Sequence, residues 1–169
     1  SRGRKPLVQE ALAAAARRAA SALVDQPAVE HHVRGVLAEA FLRLGELDLA
    51  QQQIEREREL ARDLALPAEA AYASDMLELK LLLARAENGA AAGLAARLDR
   101  DLAQSAPASE RRWLAHGYSG LATQRLGNYA AAEKLLREAE EGLRAIPDAG
   151  RSRLAMLSLL VANLTLQRK

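Results

Sequence analysis

The stretch Pro107–Ile146 reads PASERRWLAHGYSGLATQRLGNYAAAEKLLREAEEGLRAI, and the fold of the chain can be inferred from it. It contains one helical pattern, a break at Gly127 and Asn128, and a second helical pattern that ends before a proline. Glycine often ends a helix because it adopts the left-handed backbone conformation without a steric penalty. The stretch is therefore predicted to form an antiparallel pair of helices.

Prolines indicate that this helical hairpin recurs along the chain. They precede helical patterns at a constant interval of forty residues, at Pro27, Pro67, Pro107 and Pro147. Proline is tolerated in the first turn of a helix, because the N–H group that it lacks has no intrahelical partner there. Four helix starts are therefore expected at these positions.

A second set of marks lies at the breaks between paired helices. Gly45, Ala86 and Gly127 are forty-one residues apart. After each of them, apolar residues recur at spacings of three and four, which places them on one helical face. The repeat period is therefore forty to forty-one residues, and such a period is typical of helical solenoids.

The two sets of marks predict eight helices, at about 7–24, 28–44, 47–65, 68–87, 90–104, 108–126, 129–145 and 148–168. We interpret the chain as one helical-repeat domain over 1–169. It would comprise a leading helix (1–26), three repeats (27–66, 67–106 and 107–146) and a capping or incomplete repeat helix (147–169). The chain begins without methionine and stops within a helical pattern, so we expect it to be a fragment of a larger protein.

Composition favours an all-α protein. Half of the residues are apolar, but only 3% are aromatic, and alanine and leucine supply most of the apolar fraction. Both are strong helix formers, whereas the β-branched residues that favour sheets are scarce. The expected architecture is a right-handed α–α superhelix in which the first helix of each hairpin lines a concave face.

Charge and hydropathy argue against nucleic acid and membrane as partners. The net charge is only +2, and the basic residues form no dominant patch. The longest apolar run, Leu154–Leu166, is too short and too polar to span a bilayer. Alternating charges such as those at 55–59 are interpreted as solvated outer helix faces. No secretory signal pattern is present, and a cytoplasmic protein is predicted.

Candidate catalytic groups are few. His31 and His32 are adjacent and therefore point about 100° apart on a helix, so they cannot hold one metal ion together. His116 lies near Trp113 and Tyr118 in sequence, and it is interpreted as a packing or partner-binding residue in preference to a catalytic acid or base. The glycines at 89 and 93 lack the lysine of a phosphate-binding loop. We therefore predict no enzymatic activity, no cofactor and no metal.

The hairpins resemble the tetratricopeptide repeat. The third carries Gly120, the run Leu126–Tyr129, Ala132, Leu136 and Ala139, and the first carries Leu37, Ala38, Phe41, Gly45 and Ala50. The second matches less well, since Ala86 and Asn88 replace the glycine and the aromatic residue. The period exceeds the usual 34 residues. In this the chain is similar to the long-helix variety found in bacterial multidomain regulators.

The resemblance implies a non-catalytic protein–protein interaction module of a bacterial regulatory or signalling protein. The groove-facing positions of the family fall here on His32, Glu39, Arg43, Met76, Lys80, Tyr118, Leu121, Gln124 and Arg125. Apolar, amide and cationic groups in this mixture suit an extended or helical peptide of some acidic character. A partner segment is therefore expected on the concave face.

Two other functions stay open at this stage. The domain could sense a peptide or small ligand and control an attached kinase, cyclase or DNA-binding domain. Alternatively, the last helix could form a homodimer, because it is apolar nearly all round and such a helix is expected to be covered on all sides. The residues expected to pack against a downstream helix or a second copy are Leu157, Leu160, Val161 and Leu164.

Overall fold

The computed structural model describes the backbone of residues 4–168 and the side chains of residues 10–19 and 21–168. Residues 4–168 form eight α-helices: α1 (Arg4–Ala22), α2 (Pro27–Leu44), α3 (Leu47–Asp63), α4 (Ala68–Ala84), α5 (Asn88–Ser105), α6 (Glu110–Arg125), α7 (Tyr129–Arg144) and α8 (Gly150–Gln167). The predicted all-α class is confirmed. Every helix boundary lies within three residues of its predicted position.

The four prolines precede helices as predicted, but only Pro27 lies in a first turn. Pro67 is the N-cap of α4, and the two later prolines each stand two residues before an N-cap. At α6 the N-cap is Ser109, whose side chain accepts a hydrogen bond of 3.3 Å from the Arg112 amide. A serine here satisfies one of the amides that lack an intrahelical partner.

The breaks at Gly45, Ala86 and Gly127 share one backbone conformation. Their φ angles are 80°, 60° and 87°, all in the left-handed region. Alanine enters this region at a cost of about 1–2 kcal/mol because of its Cβ atom, yet Ala86 adopts it where the other two breaks have glycine. The interval of forty-one residues therefore marks a recurring conformation, not only a recurring residue type.

The chain divides into two compact units, residues 1–85 and 86–169. The first contains α1–α4, and its core comprises Leu37, Ala38, Phe41, Ala50, Ile54, Leu77 and Leu81. The second contains α5–α8, and its core comprises Leu136, Ala139, Leu143, Ala149 and Met156. The second predicted repeat is thus shared between the units. The right-handed superhelix, which concerns their arrangement, stays a prediction.

Glycines bring α6 and α7 close together in the second unit. The indole ring of Trp113 lies against Gly142, where a Cβ atom would overlap the ring. A Cβ atom on Gly120 would lie 2.9 Å from Cγ of Leu136. Each glycine therefore accommodates one large side chain of the facing helix.

We expect Gly142→Ala to lower the free energy of unfolding by about 1–2 kcal/mol. Overpacking typically costs about 1–3 kcal/mol, and a Cβ atom that overlaps the rigid Trp113 ring places the cost in the upper half of that range. The cost therefore exceeds the gain of about 1 kcal/mol in helix propensity. The matched control is Gly93→Ala in α5, where no atom lies within 4 Å of the added Cβ. That variant should be stabilised by about 0.5–1 kcal/mol. Urea unfolding followed by the fluorescence of Trp113, the single tryptophan, tests both, and equal stabilisation of the two would contradict the packing described.

Candidate functional site

A groove in the first unit lies between α2 and α4. Its volume is about 610 Å³. Five residues predicted to bind a partner line it, namely His32, Glu39, Arg43, Met76 and Lys80. The rest of the lining is His31, Gly35, Val36, Ala40, Glu57, Ala73 and Leu77. The structure therefore brings together the predicted residues of the first two repeats.

Helical periodicity places these residues on facing sides of two helices. On α2, His32, Val36, Glu39 and Arg43 follow one another at spacings of three and four, the spacing of one helical face. Gly35 leaves open space beside them, since no atom lies within 4 Å of a Cβ built there. The small residues Gly35 and Ala40 on α2 and Ala73 on α4 therefore leave a concave surface between the larger side chains that line the groove.

Charged side chains form the rim of the groove. Nζ of Lys80 lies 2.8 Å from Oε2 of Glu39, and Nη2 of Arg43 lies 3.3 Å from its Oε1. Burial raises the pKa of Glu39, but the hydrogen bond from Lys80 and the positive charges of Lys80 and Arg43 outweigh it and lower this pKa overall. Glu39 is therefore ionised, and the two cations share one carboxylate. This rim carries a net positive charge, most accessible at Arg43, whose side chain is 77% exposed.

The floor of the groove contains a buried carboxylate on α3. Glu57 is 2% exposed, and its Oε2 accepts a hydrogen bond of 2.5 Å from the Ser74 hydroxyl of α4. Its Oε1 lies 3.0 Å from Nε2 of His31 on α2. That nitrogen is buried and has no partner in hydrogen-bond geometry among the described residues. Glu57 therefore contacts both walls of the groove, through a hydrogen bond from Ser74 and through a close approach to His31 that lacks hydrogen-bond geometry.

The prediction that the charges at 55–59 form a solvated face is wrong for Glu57. Because α3 packs against both α2 and α4, one member of the alternating run points inward. The signal was present in the spacing: Glu57 lies three residues after Ile54 and three before Leu60, and both of these are buried. Helical periodicity would have placed Glu57 on the apolar face of α3.

The other predicted partner-binding residues lie on α6 in the second unit. Tyr118 and Leu121 are half-buried there, and Arg125 is exposed. Gln124 is 8% exposed, and its Oε1 has no hydrogen-bond partner among the described residues. Met76 of the groove is also 8% exposed. Burial limits how much of Gln124 and Met76 a partner could contact.

His116 connects three helices of the second unit. Its Nδ1 lies 2.8 Å from Oδ2 of Asp99 on α5, and its Nε2 lies 3.0 Å from Oε2 of Glu138 on α7. The Trp113 ring stands edge-on to it at 5.8 Å between centroids, and the Arg112 guanidinium lies 4.3 Å from the centre of the indole. Carboxylates on both nitrogens hold the imidazole between neighbouring helices, which agrees with the predicted packing role.

Helix α8 is less buried than its apolar sequence led us to expect. Leu160 is half-buried and packs against the core of the second unit, and Leu164 is half-buried too. Leu157 and Val161, by contrast, are 37% and 63% exposed. Asn163, a polar residue within the apolar run Leu154–Leu166, is fully buried and donates a hydrogen bond of 2.9 Å to the Tyr129 carbonyl. This hydrogen bond to the N-terminus of α7 satisfies the amide nitrogen, whereas the buried Oδ1 of Asn163 has no hydrogen-bond partner among the described residues.

The described residues were also compared with the requirements of a metal site and of a membrane-spanning helix. Within 4–168, no three histidine, cysteine, aspartate or glutamate side chains are grouped as a metal site would require. Over the same range, no helix combines the length and apolarity needed to cross a bilayer.

Comparison with protein-family models, curated proteins and solved structures finds no match to this chain. The resemblance to the tetratricopeptide repeat therefore stays a prediction from the residues quoted above.

Proposed function

We propose that this protein is a non-catalytic interaction module of a regulatory or signalling protein, and that it binds a partner segment in the groove between α2 and α4. The observation that carries this proposal is one concave surface in which apolar lining residues and the buried carboxylate of Glu57 lie beneath a cationic rim. The resemblance to repeats of bacterial multidomain regulators also supports it.

The lining indicates the chemistry of the bound segment. Val36 is 58% exposed and, with the half-buried Ala40, provides contact surface for apolar side chains of a peptide. The exposed guanidinium of Arg43 can donate paired hydrogen bonds to a carboxylate of the same peptide. The proposed ligand is therefore an acidic segment with apolar side chains, either extended or helical.

Selection from a displayed peptide library tests this function. Peptides enriched on the wild type should combine acidic and apolar residues, and Arg43→Glu/Lys80→Glu should weaken their binding about tenfold or more, equivalent to about 1.4 kcal/mol. The matched control is Lys134→Glu/Arg137→Glu on α7, where both side chains are more than half exposed and the change in net charge is the same.

Circular dichroism establishes that each variant is folded before its binding is compared. Because Lys80→Glu places a second carboxylate near Glu39, the charge swap Glu39→Lys/Lys80→Glu provides a folded reference with the ion pair reversed. Equal binding of the enriched peptides by the wild type and by the folded Arg43→Glu/Lys80→Glu variant would refute the groove as their site.

The volume of the groove favours a second candidate function, the sensing of a small ligand. Small-molecule sites commonly have volumes of about 300–1,000 Å³, and the groove falls within this range. A metabolite that binds only the folded state should raise the melting temperature in proportion to the logarithm of its concentration. A screen in which metabolites at millimolar concentration give no such shift, while acidic peptides do, would leave the interaction module as the better account.

A further inference from the structure

Helix α8 presents three large apolar side chains on one open face. Leu154, Leu157 and Val161 follow one another at spacings of three and four, and they are 65%, 37% and 63% exposed. The buried side of the same helix carries Met156 and Asn163, at 1% and 0%. Exposed leucine and valine residues adjacent on one helical face form a patch of the kind that marks interaction sites.

The positions of the buried residues allow α8 to be aligned with α6. Ala115 and Ala122 of α6 are fully buried and stand seven residues apart, like Met156 and Asn163 of α8. The two pairs are forty-one residues apart, which is also the interval between the left-handed residues at the hairpin breaks. In this register Leu154, Leu157 and Val161 correspond to Trp113, His116 and Gly120 respectively.

The three corresponding residues of α6 are the ones that α7 covers. Trp113 packs against Gly142, Nε2 of His116 lies 3.0 Å from Oε2 of Glu138, and Gly120 lies under Leu136. All three partners belong to α7. The open face of α8 is therefore the surface that, on α6, carries the next helix of the hairpin.

The first unit repeats this arrangement. Counting eighty-two residues back from His116 gives Arg34 on α2, whose Nη1 donates a hydrogen bond of 2.7 Å to Oε1 of Gln53 on α3. Counting eighty-two residues back from Trp113 gives His31 on α2, whose Nε2 lies 3.0 Å from Oε1 of Glu57 on α3. In each unit, the second helix of a hairpin therefore packs on this face of the first helix: α3 packs on α2, and α7 packs on α6.

We propose that the face formed by Leu154, Leu157 and Val161 binds an amphipathic α-helix whose contacting residues are small and uncharged. At the position of Leu157, α6 has His116 and α2 has Arg34, and each of these pairs with an acidic or amide group of the next helix. A charged residue buried opposite Leu157 would have no such partner. Val161 stands where Gly120 accepts a leucine, so a smaller side chain is required opposite it.

A helix with alanine or glycine at these positions fits the face better than a second copy of the same helix. Two α8 faces placed together would set leucine and valine against leucine and valine, without the large-to-small matching seen between Trp113 and Gly142. Helices approach closely where one side chain is small, and close approach maximises the buried apolar contact. The helix with small residues is therefore the occupant that we propose.

The probe is a synthetic fluorescein-labelled peptide of the sequence Tyr129–Arg144 with Leu136→Ala and Glu138→Ala. The three positions of α7 that contact Trp113, His116 and Gly120 are then glycine, alanine and alanine, which are small and uncharged. The anisotropy of the peptide should rise saturably when the full chain is added, and a scrambled peptide of equal composition should not bind. In Leu154→Glu/Val161→Glu the affinity should fall about tenfold or more, equivalent to about 1.4 kcal/mol.

The matched control is Val24→Glu/Leu126→Glu, which places the same charges at residues that are 68% and 57% exposed elsewhere. It should bind the peptide like the wild type, and circular dichroism should show every variant folded. A wild type that does not bind the peptide saturably, or a folded Leu154→Glu/Val161→Glu variant that binds it equally well, overturns the proposal. Sedimentation equilibrium tests the alternative occupant, a second copy of the chain. If the wild type self-associates, if Leu154→Glu/Val161→Glu abolishes this self-association and if the peptide does not bind, the face belongs to a second copy instead.

Discussion

Glu30→Ala is expected to lower the free energy of unfolding by about 3–5 kcal/mol, the range observed when one partner of a buried ion pair is removed. Glu30 is 4% exposed, and it accepts hydrogen bonds from Arg34 at 3.0 Å and from Arg56 at 3.1 Å. Arg34 is itself only 6% exposed. Without Glu30 its guanidinium keeps the Gln53 side chain and the Ala16 carbonyl as acceptors, but it loses its counter-charge.

Glu59→Ala is the matched control, because Glu59 pairs with the same arginine. Its carboxylate lies 3.2 Å from Nη1 of Arg56, but its side chain is 51% exposed. Exposed pairs of this kind contribute about 0–1 kcal/mol. Urea unfolding followed by far-ultraviolet circular dichroism at pH 7 should therefore separate the two variants clearly, and similar losses in both would contradict the importance of burial at Glu30.

The same carboxylate should make stability depend on pH. Hydrogen bonding from Arg56, with further hydrogen bonds and charge from Arg34, outweighs burial and lowers the pKa of Glu30 in the folded state. The pKa of Glu140 is lowered likewise, first by its hydrogen bond with Arg153 and then by that with Arg144. The folded protein thus binds fewer protons than the unfolded chain when the pH is near the ordinary glutamate pKa.

The contribution of these carboxylates is complete above the unfolded pKa of about 4.3 and is lost as the pH falls through the lower folded values. The urea midpoint of the wild type should therefore fall between about pH 5 and pH 3. In Glu30→Ala the decrease should be shallower, because one of the linked groups is missing. A variant with the same pH dependence as the wild type would show that Glu30 does not contribute.

Phe41→Ala is expected to cost about 3–5 kcal/mol, the range for truncating a buried phenylalanine to alanine. Phe41 is the single phenylalanine and is fully buried. It belongs to the core cluster that joins α2 and α3 to Leu77 and Leu81 of α4. The substitution removes a ring whose neighbours come from three helices, and helices cannot close the cavity without shifting against one another.

Val36→Ala on the same helix is the control for Phe41→Ala. Val36 is 58% exposed, and its truncation should change stability by no more than about 0.5 kcal/mol. Hydrogen exchange should show faster exchange of amides in α2 and α3 in Phe41→Ala but not in Val36→Ala. Because α2 and α4 are the walls of the groove, Phe41→Ala should also weaken peptide binding without altering a groove residue. Unchanged exchange in α2 would contradict the role assigned to the ring.

Only part of the groove could be predicted from the residue patterns in the sequence. His32, Glu39 and Arg43 could be placed on one face of α2 from their spacing, and Lys80 could be placed on α4 in the same way. Their pairing could not be foreseen, since the contact between Lys80 and Glu39 joins residues forty-one positions apart. For Glu57 the sequence contains two conflicting signals: the alternating charges at 55–59 predict exposure, whereas its spacing from Ile54 and Leu60 predicts burial.

The all-α class, the helix ranges and the interval of forty-one residues can be inferred from the amino-acid sequence. These depend on local properties, namely helical periodicity and the few conformations with which a helix can end. The burial of Glu30, Glu57 and Asn163, and the exposure of Leu154, Leu157 and Val161, become apparent only in the folded chain. Burial depends on how many helices pack around each position, and that number is set by distant parts of the chain.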